Sequence, residues 1–444
     1  MTVLDRPHPS QQRSKTAAVL GTAALALTMS IGGAVGTAAA DTVVNTIPVG
    51  TSPEAVAITP DGAYAYVTNS LDGTVSVIDT ANPTATPTTV SIGEGPEGVA
   101  ITRDGKHAYV TDQGSGATNG TVSVIDTAHP TNLPALIQFG LHPRGVAITP
   151  DGAYVYVTNQ GSNTVSVIDT ANPTNPPVTV WVGSSPEAVA ITPDGNHAYV
   201  TNVGSNTVSV IETANPANPA ITVGVGSRPA GVAITPDGAY AYVTNFDSAT
   251  VSVIDTANPT ATPTTVPVGT QPRGVTITPD GKQAYITNAN TRSVSVLDTS
   301  TNTKITDIAV GGNPRAVAIT PDGNHAYVTN ADDGTVSVIA IDRAPTLTGA
   351  PPAGVLGQPY SHTFTVTGTA PVTVTATGTL PDGLTLTEAG VLSGTPTKAG
   401  RFTFSVTATN SVGDSDPLSV NMEVTETASP STGSLGSLGS IFGS

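Results

Sequence analysis

The tetrapeptide Tyr-Val-Thr-Asn returns along this chain at a nearly constant interval. It stands at Tyr66–Asn69, Tyr156–Asn159, Tyr199–Asn202, Tyr242–Asn245 and Tyr327–Asn330, with the variants Tyr109–Asp112 and Tyr285–Asn288 between them. Successive tyrosines lie 43, 47, 43, 43, 43 and 42 residues apart. A period of about 40–45 residues is that of one propeller blade, a unit too small to bury its own faces and stable only when stacked on its neighbours. Seven copies predict a closed, all-β seven-bladed ring over residues 41–343.

Each period resolves into four short alternating segments. In the third they are Gly145–Thr149, Tyr154–Thr158, Thr164–Ile168 and Val178–Val182, separated by Pro, Asp, Gly and Asn. That punctuation makes a four-stranded meander, with Asp-Gly pairs at the tight turns. The first segment carries Ala57, Ala100, Ala147, Ala190, Ala233 and Ala318, with Thr276 in the sixth repeat. Small residues suit the strands that converge on the ring axis. The seventh repeat ends at Ile339 without a fourth segment, whereas Thr42–Val49 precedes the first repeat and matches that missing segment. The two are expected to pair and close the ring, which removes two exposed sheet edges.

The motif set Pro-x-[Gly/Ala]-Val-Ala-Ile-Thr-Pro-Asp-Gly, Tyr-Val-Thr-Asn and Thr-Val-Ser-Val-Ile-Asp-Thr resembles the YVTN-repeat β-propellers of microbial surface-layer and periplasmic proteins. The resemblance implies a seven-bladed fold and an exported address, and no single activity. Residues 344–425 have a different texture of alternating segments and turns, among them Tyr360–Val366, Val372–Ala376, Gly383–Leu386 and Arg401–Ala408. They predict a small β-sandwich. Leu380–Leu386 followed by Gly390–Pro396 resembles the Ig-like, cadherin-related domains of bacterial surface proteins. Cadherin-like relatives suggest calcium, for which Asp414 and Asp416, with Glu423, are the candidate ligands. Residues 426–444 are rich in Ser and Gly and read as a flexible tail.

Composition narrows the function. The chain has 32 acidic and 15 basic residues and a net charge of -17. That balance disfavours nucleic acid, whose binding rests on Lys and Arg contacts to phosphate. There is no cysteine, so disulfides, thiolate metal sites and thiol nucleophiles are absent. Arg6, Arg13 and Lys15, then the apolar Thr16–Ile31, then Ala38–Ala40 before Asp41, read as a secretory leader. The expected mature chain is a monomer without a transmembrane span, secreted or held at the cell surface after cleavage near Ala40.

What breaks the repeat is the guide to function. In Pro-x-[Gly/Ala] the variable residue is Glu54, Glu97, Arg144, Glu187, Ala230, Arg273 and Arg315 in blade order. Symmetry predicts a charged ring at the channel mouth, with Glu97–Arg144–Glu187 and Arg315–Glu54 as neighbours. The ring reads either as ion pairs ordering the mouth or as a pocket. In the pocket reading, Arg273 and Arg315 receive an anionic group and Glu97 or Glu187 acts as a base, with His142 nearby. A four-residue insertion in blade two, within Gln113–Gly120, is expected on the same face. The turn aspartates Asp61, Asp104, Asp151, Asp194, Asp237, Asp280 and Asp322 are expected to bond their own backbone. His107, His197 and His325 share a strand-two position with Tyr64, Tyr154 and Tyr240, where a packing role is expected. The leading expectation is a non-enzymatic binding protein that meets a protein, glycan or small anionic ligand at the mouth, with the Ig-like domain as spacer or adhesion module. The alternatives are a lactonase-like hydrolase or lyase acting through the mouth Glu, Arg and His residues, and a calcium-binding surface protein. No cofactor is expected beyond that calcium.

Overall fold

The computed structural model describes residues 41–114, 120–138, 140–410 and 412–426. The expected leader (1–40), residues 115–119 of the blade-two insertion and the tail from 427 lie outside the described residues. Every regular element among the described residues is a β-strand.

Seven four-stranded antiparallel sheets form the ring. Blade three shows the plan: Pro143–Ile148, Tyr154–Asn159, Thr164–Asp169 and Val178–Trp181 follow one another from the channel outward. Blade seven departs from it. Pro314–Ile319, His325–Asn330 and Thr335–Ala340 take their outermost partner from the other end of the chain, Thr42–Pro48. Thr42 lies opposite Ala340 and Pro48 opposite Thr335, with a bulge between Val43 and Asn45. Beyond that strand, the Asp41 carboxylate accepts the Asp342 N–H at 2.8 Å and the Tyr285 hydroxyl of blade six. The expected closure is therefore present.

Adjacent blades are held by apolar clusters that repeat around the ring. Tyr66, Val75, Val77 and Val90 of blade one pack on Ala108, Val110 and Ile125 of blade two. Across the closure Ile47, Tyr327, Val336 and Val338 pack on Val56, Ala65, Val67 and Ile78. The motif tyrosine is the largest side chain in each interface, and all seven are 0–6% exposed. A Tyr buries roughly 150–250 Å², which makes it a principal source of blade-to-blade adhesion. The other strand-two position behaves differently: Tyr64, Tyr154 and Tyr240 are 42–45% exposed, and His107 is exposed too. The packing expected there is only partial, with His197, Gln283 and His325 half-buried. This residue starts strand two at the edge of the disc, exposed in four blades and half-buried in those three, and that partial burial accommodates Tyr, His and Gln alike.

The turn aspartates do bond their own turn. Asp151 accepts the Thr149 hydroxyl at 2.6 Å and the Ala153 N–H at 2.9 Å, and the other six repeat the hydroxyl bond. That bond, before all others, holds the Asp151 carboxyl below its usual range.

Residues 344–425 form the second domain. One sheet contains Gly354–Val355, Leu418–Thr425, Gly400–Thr409 and Thr373–Gly378; another contains Tyr360–Thr363, Val391–Gly394 and Leu384–Leu386. The run Tyr360–Val366, expected as one strand, divides: Thr365–Thr367 turns away to pair with Thr346–Thr348. Between those pieces Phe364 enters a core with Leu392, Phe404 and Met422.

Candidate functional site: a charged ring at the channel mouth

Each innermost strand begins Pro-x-[Gly/Ala], and each has a register shift between that Pro and the following Val. A bulge frees two residues from the ladder and re-aims them. Residue x is one of them, which is why its side chain reaches the channel.

The motif threonine satisfies the backbone that the bulge leaves unpaired. Thr158 Oγ1 accepts the Gly145 N–H at 2.8 Å within its own blade and donates to the Glu187 carbonyl of the next blade at 2.9 Å. The same pair of bonds recurs at Thr68, Thr111, Thr201, Thr244 and Thr287. At the ring closure it loosens, with Thr329 Oγ1 3.4 Å from the Glu54 carbonyl. Each threonine thus ties residue x of one blade to the blade before it.

The residue before each Pro supports the same loop in a left-handed conformation. Ser52, His142, Ser185, Arg228, Gln271 and Asn313 have φ of 52–57°. Their carbonyls accept the N–H of the residue following the Tyr-Val-Thr-Asn motif, as His142 does from Gln160 at 3.0 Å. His142 therefore occupies a turn position that tolerates His. It is not among the residues lining the channel cavity.

Six of the variable residues do converge. Glu54, Glu97, Arg144, Glu187, Arg273 and Arg315, with Ala230, line one cavity of about 180 Å³ whose floor is the small residues that follow them. Arg144 bridges Glu97 at 3.3 Å and Glu187 at 3.4 Å, and Arg315 meets Glu54 at 3.3 Å. Burial pushes the Glu97 carboxyl up to about 7; Arg144 opposes this, while Glu54 and Glu187 add to it. Glu97 also accepts from the Gln113 amide, and Glu187 from Gln160 at 2.9 Å.

Arg273 stands apart. Among the described residues its guanidinium is in no ion pair, unlike those of Arg144 and Arg315, while its Nε, like theirs, is buried without a hydrogen-bond partner. Burial and then the repulsion of Arg315 lower its pKa. Its neighbour in the ring is Ala230, where three other blades carry Glu. A second cavity of about 190 Å³ opens over that gap, lined by Arg144, Arg228, Arg273, Arg315, Glu187 and the apolar Val203 and Phe246 among others. Arg228 and Arg273 both lie 4.9 Å from the Phe246 ring centroid, which holds them without neutralising them. Arg228 also pairs with Asp247 at 3.6 Å, in solvent.

Reading x alone missed Gln113, Gln160 and Phe246 as site residues. All three directly follow the Tyr-Val-Thr-Asn motif or its variant, where the seven blades carry Ser70, Gln113, Gln160, Val203, Phe246, Ala289 and Ala331. That position varies as x does, and the variation was the available signal. In the second domain, Asp414 accepts the Thr409 hydroxyl at 2.6 Å, and Glu423 lies 3.8 Å from Arg401. Among the described residues no three His, Asp or Glu side chains gather as a metal site would require.

A family model described as a lactonase-type seven-bladed β-propeller matches residues 36–176 and 188–350. The chain belongs to that family. A second model, described as Putative Ig domain, matches residues 344–425. Among solved structures, the ring is similar to a chain of Kuenenia stuttgartiensis hydrazine synthase. The two share 25% sequence identity, with a TM-score of 0.58 over 66% of this chain and 96% of that one. No curated protein matches the chain.

Proposed function

We propose that this lactonase-family propeller is an exported binding or cell-surface interaction protein that takes a small anionic ligand at the channel mouth. The observation that carries this reading is the break in charge pairing at blade five. Around the rest of the ring each guanidinium has its carboxylate, whereas Arg273 faces the space left by Ala230. A partly buried arginine without a counter-ion gains most from a ligand that supplies one. The Ig-like domain serves as spacer or adhesion module.

The family description also names lactonases, and one observation favours acid–base chemistry here. A carboxyl raised to about 7, as in Glu97, matches what a general base needs near neutral pH. Its oxygens are nonetheless engaged by Arg144 and Gln113. The test is calorimetric titration with gluconate, glucuronate, phosphate and short dicarboxylates, alongside a lactone-hydrolysis assay. A ligand should bind the wild type and lose at least tenfold in affinity on Arg273→Ala. Unchanged affinity in that variant refutes the site. Turnover abolished by Glu97→Gln would instead favour the enzyme.

A further inference from the structure

We infer a second binding site, for an amphiphile with an apolar chain and a carboxylate head, in the groove between blades two and three. It lies on the face opposite the mouth, because each innermost strand starts at the mouth and ends at the Pro-Asp-Gly turn that borders this groove. The opening measures about 1210 Å³.

The repeat itself argues that the groove is built. Its floor includes Val124 and Ile137. The residues equivalent to Val124 are Val77, Val167, Val210, Val253, Val296 and Val338, all 1–5% exposed. Those equivalent to Ile137 are Val90, Val180, Val223, Val266, Ile308 and Ile47, all 2–6% exposed. In blade two both positions are left half-buried. Six interfaces cover this apolar surface with the next blade, and this one presents it to a groove. The facing strand of blade three carries Val155 where every other blade has Ala at that point. Its extra methyl groups, fully buried against Tyr109 and Val122, need room that Ala does not.

Two further departures from the repeat fall in the same lining. Leu136, 59% exposed, replaces the Thr that blades one, three, four, five and seven carry on the outer strand. Arg103 replaces the Pro that the other six turns carry. Among the described residues Arg103 is in no ion pair, whereas the adjacent Asp104 is held by Lys106 and by the Thr102 hydroxyl. Asp151 also lines the groove, its carboxylate bonded within its own turn by the Thr149 hydroxyl and the Ala153 N–H. The apolar floor with the uncommitted Arg103 guanidinium at its rim is complementary to an alkyl carboxylate, the chain covering Val124, Leu136 and Ile137 and the head meeting Arg103 on the side away from Asp151.

Decanoate, with decanol as its uncharged counterpart, is the probe, titrated calorimetrically into the full chain. Decanoate should bind at one site. Arg103→Pro, which restores the residue of the other turns, should weaken decanoate about tenfold and leave decanol unchanged. Leu136→Thr, also a restoration of the repeat, should weaken both ligands. Arg273→Ala at the mouth should alter neither. No saturable binding of decanoate, or binding lost in Arg273→Ala but kept in Arg103→Pro, overturns the proposal. The second outcome would assign decanoate to the mouth, so the two sites fail separately.

Discussion

Single residues in this protein carry definite tasks because the repeat gives each an internal control. The motif threonine bonds two blades through one oxygen, and the loss of a buried hydroxyl partner costs about 1–3 kcal/mol. Thr244→Val removes bonds of 2.8 Å to the Gly231 N–H and 2.6 Å to the Arg273 carbonyl. It should lower unfolding free energy in urea by that amount. Thr329→Val, with its 3.4 Å contact, should lower it less; equal losses would contradict the stapling role. Glu97 supplies a pH dependence. Its folded-state pKa, about 7, lies above the ordinary 4.5. The folded chain thus holds this proton more tightly than the unfolded chain, and the associated stability, full below about pH 4.5, falls as pH rises and is gone above about 7. The wild type should lose melting temperature relative to Glu97→Gln across that interval, and parallel curves would show that Glu97 is not so perturbed. The ring of x residues was legible from the sequence because everything around it is constant. The role of Phe246 was not, since stacking against Arg273 depends on a loop approach that periodicity does not encode.

At the scale of elements, the closing strand Thr42–Pro48 is the feature on which the ring depends. Its Ile47 enters the core shared by blades seven and one, and Asp41 reaches blade six through Tyr285. A chain beginning at Thr51 should melt at least several degrees lower, and an unchanged melting temperature would mean that the ring does not rely on closure. Strand identity and order were readable because alternation, Asp-Gly turns and a 43-residue period agree with one another. The bulge at Pro-x-[Gly/Ala] was less so: the pattern locates the strand, while the register shift follows from seven strands meeting at a narrow axis. The exposed Tyr64, Tyr154 and Tyr240 show the limit of reading an aromatic residue as packed, since a strand's first residue can lie beyond the interface that buries its third.

At the scale of the whole molecule, the ring and the second domain meet at Arg343. Its guanidinium donates to the Asp322 carbonyl at 2.6 Å and pairs with Asp280 at 3.4 Å. Its own carbonyl accepts from Asn410 of the second domain at 2.7 Å. The change of texture near residue 343 marked this boundary in the sequence, but the contacts across it involve single side chains outside any repeat. The charge of -17 describes the molecule and not the mouth. There, four arginines face one glutamate in the lining of the cavity beside Ala230. The most direct test restores the missing carboxylate. Ala230→Glu copies a residue that three other blades already carry, so it should fold as the wild type does. Titrated with the same panel of small carboxylates and phosphate, the wild type should bind at least one member and Ala230→Glu should bind none. Equal binding by the two proteins, or binding by neither, would contradict a ligand site at the blade-five gap.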